Sequence, residues 1–315
     1  MRTLIFFAFI FKKYPKSLVK KTSFDNVYIV SNSIRYKMSF YPQPNKYQCG
    51  PFALKYALVM LGRFESENQI GIKAGSTWWY GTDEIGLAKA AKYYNCKMKY
   101  FRREKPEDAV KILIEQLKKG FPCVLSVNNW EHWLTVVNYQ QRKFIVTDSS
   151  LDKVITIYTP TQLIKRWKYY DEEEDEISFD GYAIVPQYKV TTKAKFTLEQ
   201  ARFVMDSRNQ KLAKNWDTYF NDMIAICHPR HANATHLISF RDFLRRFEKI
   251  LVTQVANWHG SPNHRELKKI LSNFQFMADV YDLVIHADEQ KKALIDLSSI
   301  LMMYACGKYG MDEIY

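Results

Sequence analysis

A helix in this chain opens on a cysteine. The stretch Gln43-Pro44-Asn45-Lys46-Tyr47-Gln48-Cys49-Gly50-Pro51 precedes Leu54, Ala57, Leu58 and Leu61, which recur at helical spacing until Gly62. Pro51 suits the first helical turn, where its missing N–H costs nothing. A helix start presents unpaired N–H groups and a partial positive charge, and both favour thiolate over thiol. The amide of Gln43, six residues before the cysteine, can reach the same space and donate a hydrogen bond to a developing oxyanion. A nucleophile so placed lacks only a base.

His132 supplies a candidate. It lies in Asn128-Asn129-Trp130-Glu131-His132-Trp133, at the start of an apolar strand, and Asp148 ends the next strand in Phe144-Ile145-Val146-Thr147-Asp148. A hairpin sets the start of one strand beside the end of its neighbour. His132 and Asp148 can therefore meet although they are 16 residues apart. A carboxylate there fixes the imidazole tautomer and stabilises the imidazolium formed when Cys49 loses its proton. Read singly, Cys49 is a buried thiol and His132 a structural polar residue. Read together with Gln43 and Asp148, they form a nucleophile, base, orienter and oxyanion donor. Trp79 and Gly81, with Trp130 beside the histidine, are candidates to line a substrate cleft.

Residues 38–189 read as a mixed domain. Helices are expected from Pro51, from a Thr82 cap with Asp83 and Glu84 in the first turn, and from Pro106 to Gly120. Short β-branched or aromatic runs follow at Pro122–Asn128, Trp133–Tyr139, Lys143–Asp148, Val154–Tyr158 and Tyr182–Val185, with a helix near Thr161–Tyr170 and a solvated acidic loop at Asp171–Glu176. Helices first and an antiparallel sheet after them indicate an α+β domain. From about 190 the strand signals stop. A Thr197/Gln200 capping box starts a long amphipathic segment to Ile226, Ser239 and Asp242 start another, and two helices fit 262–286 and 287–306. Residues 190–315 thus read as an all-α bundle.

Gln43…Cys49-Gly50-Pro51, Gly81-Thr82 leading to Gly86-Leu87-Ala88, His132-Trp133 and Val146-Thr147-Asp148 resemble the bacteriocin-processing double-glycine peptidases, which are papain-like cysteine peptidases. The resemblance spans about residues 38–187. It implies a papain-like fold with Cys49 as nucleophile, His132 as base and then acid, and Asp148 as orienter. Gln43 and the Cys49 N–H would form the oxyanion hole. The chain departs from the family in having Gln48 before the cysteine, where an acidic residue is usual. It also has Ser149-Ser150-Leu151-Asp152 where Pro and Gly often follow the aspartate, which makes Asp152 a rival for the third role. Family members are commonly fused to an exporter.

Charge and cysteine usage bound the rest. Of the net charge of +13, residues 1–37 carry eight Lys or Arg and one acidic residue, so the basicity sits mainly in an N-terminal arm. Its apolar block Leu4–Phe11 is too short to span a bilayer and lacks a small-residue cleavage site, although a secretion signal stays open. Five scattered cysteines do not make a disulfide framework and favour a reducing, cytoplasmic setting. Cys227 and His231 have one zinc-like spacing, but Pro229 interrupts them and no second ligand pair follows, so no metal or cofactor is expected. Arg241, Arg245, Arg246 and Lys249 form a stripe broken by Asp242 and Glu248, which reads as a solvated face rather than a nucleic-acid site. The expected activity is hydrolysis of a peptide or protein through a thioester. Alternatives are acyl transfer or transpeptidation with the same triad, or a non-catalytic peptidase-fold binding protein. The helical region is expected to engage the substrate or a partner protein.

Overall fold

In the computed structural model, which describes residues 40–77, 80–209, 212, 215–230, 235–257 and 263–308, the helix opened by Cys49 is α1 (Cys49–Met60), and every residue of it is buried. The stripe read from the sequence is only half of its apolar surface. Ala53, Leu54, Ala57, Leu58 and Leu61 pack with α2 (Glu67–Ala74) and α3 (Glu84–Tyr93). Phe52, Tyr56, Val59 and Met60 face elsewhere, into the helices that follow residue 190. The arm 1–37, Trp79 and His231 lie outside the described residues.

The sheet behind α1 is antiparallel, with strand order β1-β7-β2-β3-β4-β5 and β6 paired to β7. Its strands are β1 (Cys96–Arg103), β2 (Cys123–Val127), β3 (His132–Gln140), β4 (Lys143–Thr147), β5 (Ile155–Tyr158), β6 (Tyr169–Asp171) and β7 (Glu176–Pro186). Side chains alternate between its two faces. Val124 and Ile184 join the α1–α3 layer. Cys123, Leu125, Leu134 and Ala183 join α4 (Pro106–Lys118) and α5 (Pro160–Trp167) on the other face. The domain is the expected α+β sandwich.

Several local readings shift. The third helix is capped by Asp83, whose carboxylate accepts from Gly86 N at 2.7 Å, whereas the Thr82 hydroxyl bonds Ser76 Oγ at 2.6 Å. Helix α2 and strand β1 were not legible. In β1, Cys96 to Tyr100 alternate apolar and polar, but Tyr100-Phe101 and Arg102-Arg103 break the pattern, and four basic residues suit an edge strand whose outer side must not recruit another chain. The acidic run is the exposed turn of the β6–β7 hairpin.

Beyond residue 190 come α6 (Leu198–Met205), α7 (Trp216–Ile224), α8 (Phe240–Ala256), α9 (His264–Tyr281) and α10 (Gln290–Lys308). The Thr197/Gln200 capping box is present, and Ser239 caps α8. The segment read as one helix to Ile226 is broken after Met205, where Asp206 accepts from the Arg208 backbone and guanidinium. A three-stranded sheet also occurs here, in the order β8 (His228–Pro229), β10 (Leu283–His286), β9 (Leu237–Ser239). Strands of two to four residues are too short to show a period of two.

Among the described residues, side chains from both regions share one apolar cluster. Phe40 stacks on Tyr56 of α1 at 4.8 Å and meets Phe196, Trp216 and Tyr281 from the later region. The Tyr281 hydroxyl accepts from Trp216 Nε1 at 2.8 Å and from Phe40 N at 3.2 Å, so the polar tips inside this aromatic cluster are satisfied. Lys55, buried within α1, pairs with Glu67 of α2 at 3.2 Å and sits 4.3 Å from the centroid of the Tyr41 ring. Among the described residues no helix is long and apolar enough to cross a membrane.

Removing a partner from a buried ion pair costs far more than the pair is worth. Glu67→Ala is therefore expected to lower unfolding free energy in urea by about 3 kcal/mol. A chain ending at residue 189 uncovers Phe52, Tyr56 and Val59. It is expected to bind a hydrophobic dye and to lose cooperative unfolding, and a transition as sharp as that of the whole chain would contradict the need for this cover.

Candidate active site

The residues before α1 are held by their own side chains. Asn45 caps the short turn Lys46–Gln48 by accepting from Tyr47 N at 3.0 Å, and the turn delivers the chain into α1 at Cys49. Gln48, the N-cap of α1, makes no side-chain cap, which leaves first-turn N–H groups directed at the cleft. Gly50 admits close approach: a Cβ there would lie 3.0 Å from Thr82 Cβ. Cys49 is buried, with only 6% of its surface exposed, on the wall of a cleft of about 1040 Å³.

Register brings the base to the thiol. His132 begins β3, and β3 packs on α1, where Thr135 Oγ1 donates to Ala53 O at 2.7 Å. Strand β4 pairs with β3 so that Thr147 lies opposite Thr135, and Asp148 follows directly. His132 Nε2 then meets Asp148 Oδ1 at 2.7 Å. With Nε2 committed to the carboxylate, Nδ1 is the nitrogen left for the thiol, and His132 and Cys49 both line the cleft. Asp148 is completely buried. Its other contacts are Arg166 Nη1 to Oδ2 at 2.8 Å, and Ser150 N and Oγ to Oδ1 at 3.0 and 2.6 Å. Asp152 is exposed, so the carboxylate that meets the histidine is Asp148 and not its rival.

Electrostatics favour the charged pair. Desolvation opposes protonation of His132, but the hydrogen bond to Asp148 and the nearby Asp148 and Cys49 groups outweigh it and raise the imidazole to about 9. Burial alone would push Asp148 up. The bonds from His132, Ser150 and Arg166 and the imidazolium charge reverse that and hold it well below the usual carboxylate range. Burial pushes the thiols of Cys96, Cys123 and Cys227 up.

Gln43 is anchored at the edge of the cleft. Its backbone N–H donates to Ser149 O at 2.8 Å, its Oε1 accepts from Ser149 Oγ at 2.5 Å, and its Nε2 donates to Asn45 O at 2.8 Å. An amide fixed through its oxygen presents its nitrogen in one orientation. Ser149 and Ser150, which depart from the family pattern, are thus the residues that hold Gln43 and Asp148.

The walls divide the aromatic candidates. Trp130 is half exposed and stacks on Tyr169 at 4.3 Å, on the cleft rim. Trp133 is core, and its Nε1 donates to Thr82 O at 3.0 Å. Gly81 lines the cleft at φ +82°, a conformation that favours glycine, and pairs with Thr77 through two 3.0 Å backbone bonds. Tyr80 projects beside it, 82% exposed. Asn128, Asn129 and Trp130 all have φ between 54° and 63°, so the loop leading to His132 runs through three successive left-handed residues. Asparagine tolerates that conformation; tryptophan there is strained.

All described residues lining the cleft lie between Gln43 and Tyr182. Side chains after residue 190 instead join Phe52, Tyr56, Val59 and Met60 of α1 in one apolar cluster with Phe40 and Phe64. Among the described residues no group of His, Cys, Asp and Glu could hold a metal ion. The sequence reading missed Arg166, Tyr158, Ser149, Ser150 and Asn128 as parts of the site. A serine two residues after an aspartate is a common turn partner and offered some signal for Ser150; an arginine on a separate helix offered none.

The imidazole gives stability a definite pH dependence. Its value is raised from 6.5 to about 9 on folding, so its contribution is complete below 6.5 and disappears as pH rises through 9. Unfolding free energy from urea titrations is expected to fall over this window. His132→Gln is expected to remove that part of the slope.

Residues 36–174 match the profile of the Peptidase C39 like family. Three solved structures resemble part of the chain. The peptidase domain of Streptococcus ComA, a bifunctional ABC transporter involved in a quorum-sensing pathway, is 16% identical with a TM-score of 0.35, over 48% of this chain and 99% of that one. A double-glycine-motif protease from an AMS/PCAT transporter, solved with its leader peptide, is 19% identical with a TM-score of 0.35, over 49% and 96%. A putative C39-like peptidase from Bacillus anthracis is 14% identical with a TM-score of 0.35, over 49% and 97%. No curated protein matches the chain. The family whose model residues 36–174 match is the one that the motifs around Cys49 and His132 resemble.

Proposed function

We propose that this chain is a cysteine peptidase that hydrolyses a peptide or protein through a Cys49–His132–Asp148 triad. The observation that carries the reading is the 2.7 Å contact of His132 Nε2 with Asp148, with His132 and Cys49 lining one cleft. Residues 38–189 form the catalytic part in this reading, and 190–315 brace α1.

His132 takes the Cys49 proton and the thiolate attacks the scissile carbonyl carbon. The resulting oxyanion accepts from the Cys49 N–H and from Gln43 Nε2. The C–N bond then breaks as His132 returns its proton to the leaving amine, which leaves a thioester on Cys49. Water, deprotonated by His132, attacks the thioester; the thiolate departs and the acid product is released. Asp148 keeps the imidazole oriented throughout and is not itself protonated. Gly81 and Trp130 would bound the bound segment of substrate.

Two measurements test the reading. Iodoacetamide labelling, read by peptide mass spectrometry from pH 5 to 10, is expected to modify Cys49 far faster near neutrality than Cys96, Cys123 or Cys227. His132→Ala should slow labelling of Cys49 by tenfold or more, on the order expected when a thiolate loses its ion-pair partner. A peptide library incubated with the protein should give new termini that vanish with Cys49→Ala while urea unfolding is unchanged. Cleavage that survives Cys49→Ala overturns the assignment.

A further inference from the structure

Arg166 has no part in the reaction just described, yet three parts of the site converge on it. It projects from α5, on the face of the sheet opposite α1. Its Nη1 donates to Asp148 Oδ2 at 2.8 Å and lies 2.7 Å from the Tyr158 hydroxyl of β5. Its Nε lies 3.3 Å from Asn128 Oδ1, and its carbonyl accepts from Asn128 N at 2.8 Å. Asn128 opens the left-handed run that leads to His132 and itself lines the cleft.

We propose that Arg166 is a positioning residue: it locks the buried Asp148 carboxylate in the orientation that receives the His132 N–H, and it ties that carboxylate to the loop carrying His132. The proposal rests on the reading of Cys49, His132 and Asp148 as a catalytic set. A carboxylate with one oxygen on His132 and Ser150 and the other on Arg166 cannot rotate without breaking a charge-assisted bond. A guanidinium also fixes direction, which an ammonium, a point charge, does not. The other titratable groups around the pair are Cys49 and Tyr56 of α1 and Tyr158 of β5, with Glu131 on the adjoining cleft wall.

Charge and positioning predict opposite signs. Arg166 is a cation near a cation, so removing its charge alone would make His132 easier to protonate. Loss of positioning weakens the Asp148–His132 bond and makes protonation harder. The experiment is an NMR titration of the His132 ring in a Cys49→Ser background, which removes the coupled thiol, assigned with His132→Gln. Arg166→Gln is expected to lower the His132 midpoint by about 1 pH unit, a tenfold weakening of proton binding, and Arg166→Lys to lower it less. A rise, or no change, in Arg166→Gln overturns the proposal. If that variant loses its cooperative urea transition, Arg166→Lys decides alone: charge is kept, so a fall supports positioning and an unmoved midpoint refutes it. Because serine replaces the thiol, this result is separable from iodoacetamide labelling, whose failure would count against the peptidase reading and not against the role of Arg166.

Discussion

A helix that is apolar all round must be covered all round, and α1 is buried along its whole length. One sheet and two short helices can cover only part of such a cylinder. The remaining arc, Phe52, Tyr56 and Val59, is closed by side chains that arrive after residue 190. The later helices are therefore part of the core that holds the cysteine-bearing helix in place.

The same logic governs the polar interior. Asp148 is a carboxylate without solvent access, and burying it is tolerable only because four donor groups from three residues surround it. Those bonds come from β3, the turn after β4, and α5. Satisfying one buried charge thus fixes the relative placement of three elements, and the His132 ring is fixed with them. The Ser149 bond to Gln43 extends this order to the segment preceding α1. A single turn, 148–150, orients both the candidate orienting carboxylate and the candidate oxyanion donor.

Departures from a family pattern are informative here. Ser149 and Ser150 hold their turn with side-chain hydroxyls. Each hydroxyl reaches a residue of the site. Gln48, standing where an acidic residue is usual, leaves the α1 N-terminus without a side-chain cap and so without a competitor for the N–H groups there.

Local signals were legible in the sequence: the Cys49 helix start, the β2–β5 strands and the Thr197/Gln200 capping box. Each rests on side-chain periodicity or a capping residue within a few positions, which are properties of short segments. Hairpin pairing of β3 with β4 extended that reach to His132 and Asp148, because antiparallel neighbours in sequence are neighbours in space. What lay beyond it depends on long-range packing. Edge strand β1 loses its alternation at Tyr100-Phe101, the three-stranded sheet near residue 284 is too short to be periodic, and the packing of Phe40 on Tyr281 joins residues 241 positions apart. Arg166 shows the limit most clearly. Its type and position on α5 carry no mark of the site, and only the tertiary fold, by setting α5 beside the buried Asp148, makes it the cation that the carboxylate needs.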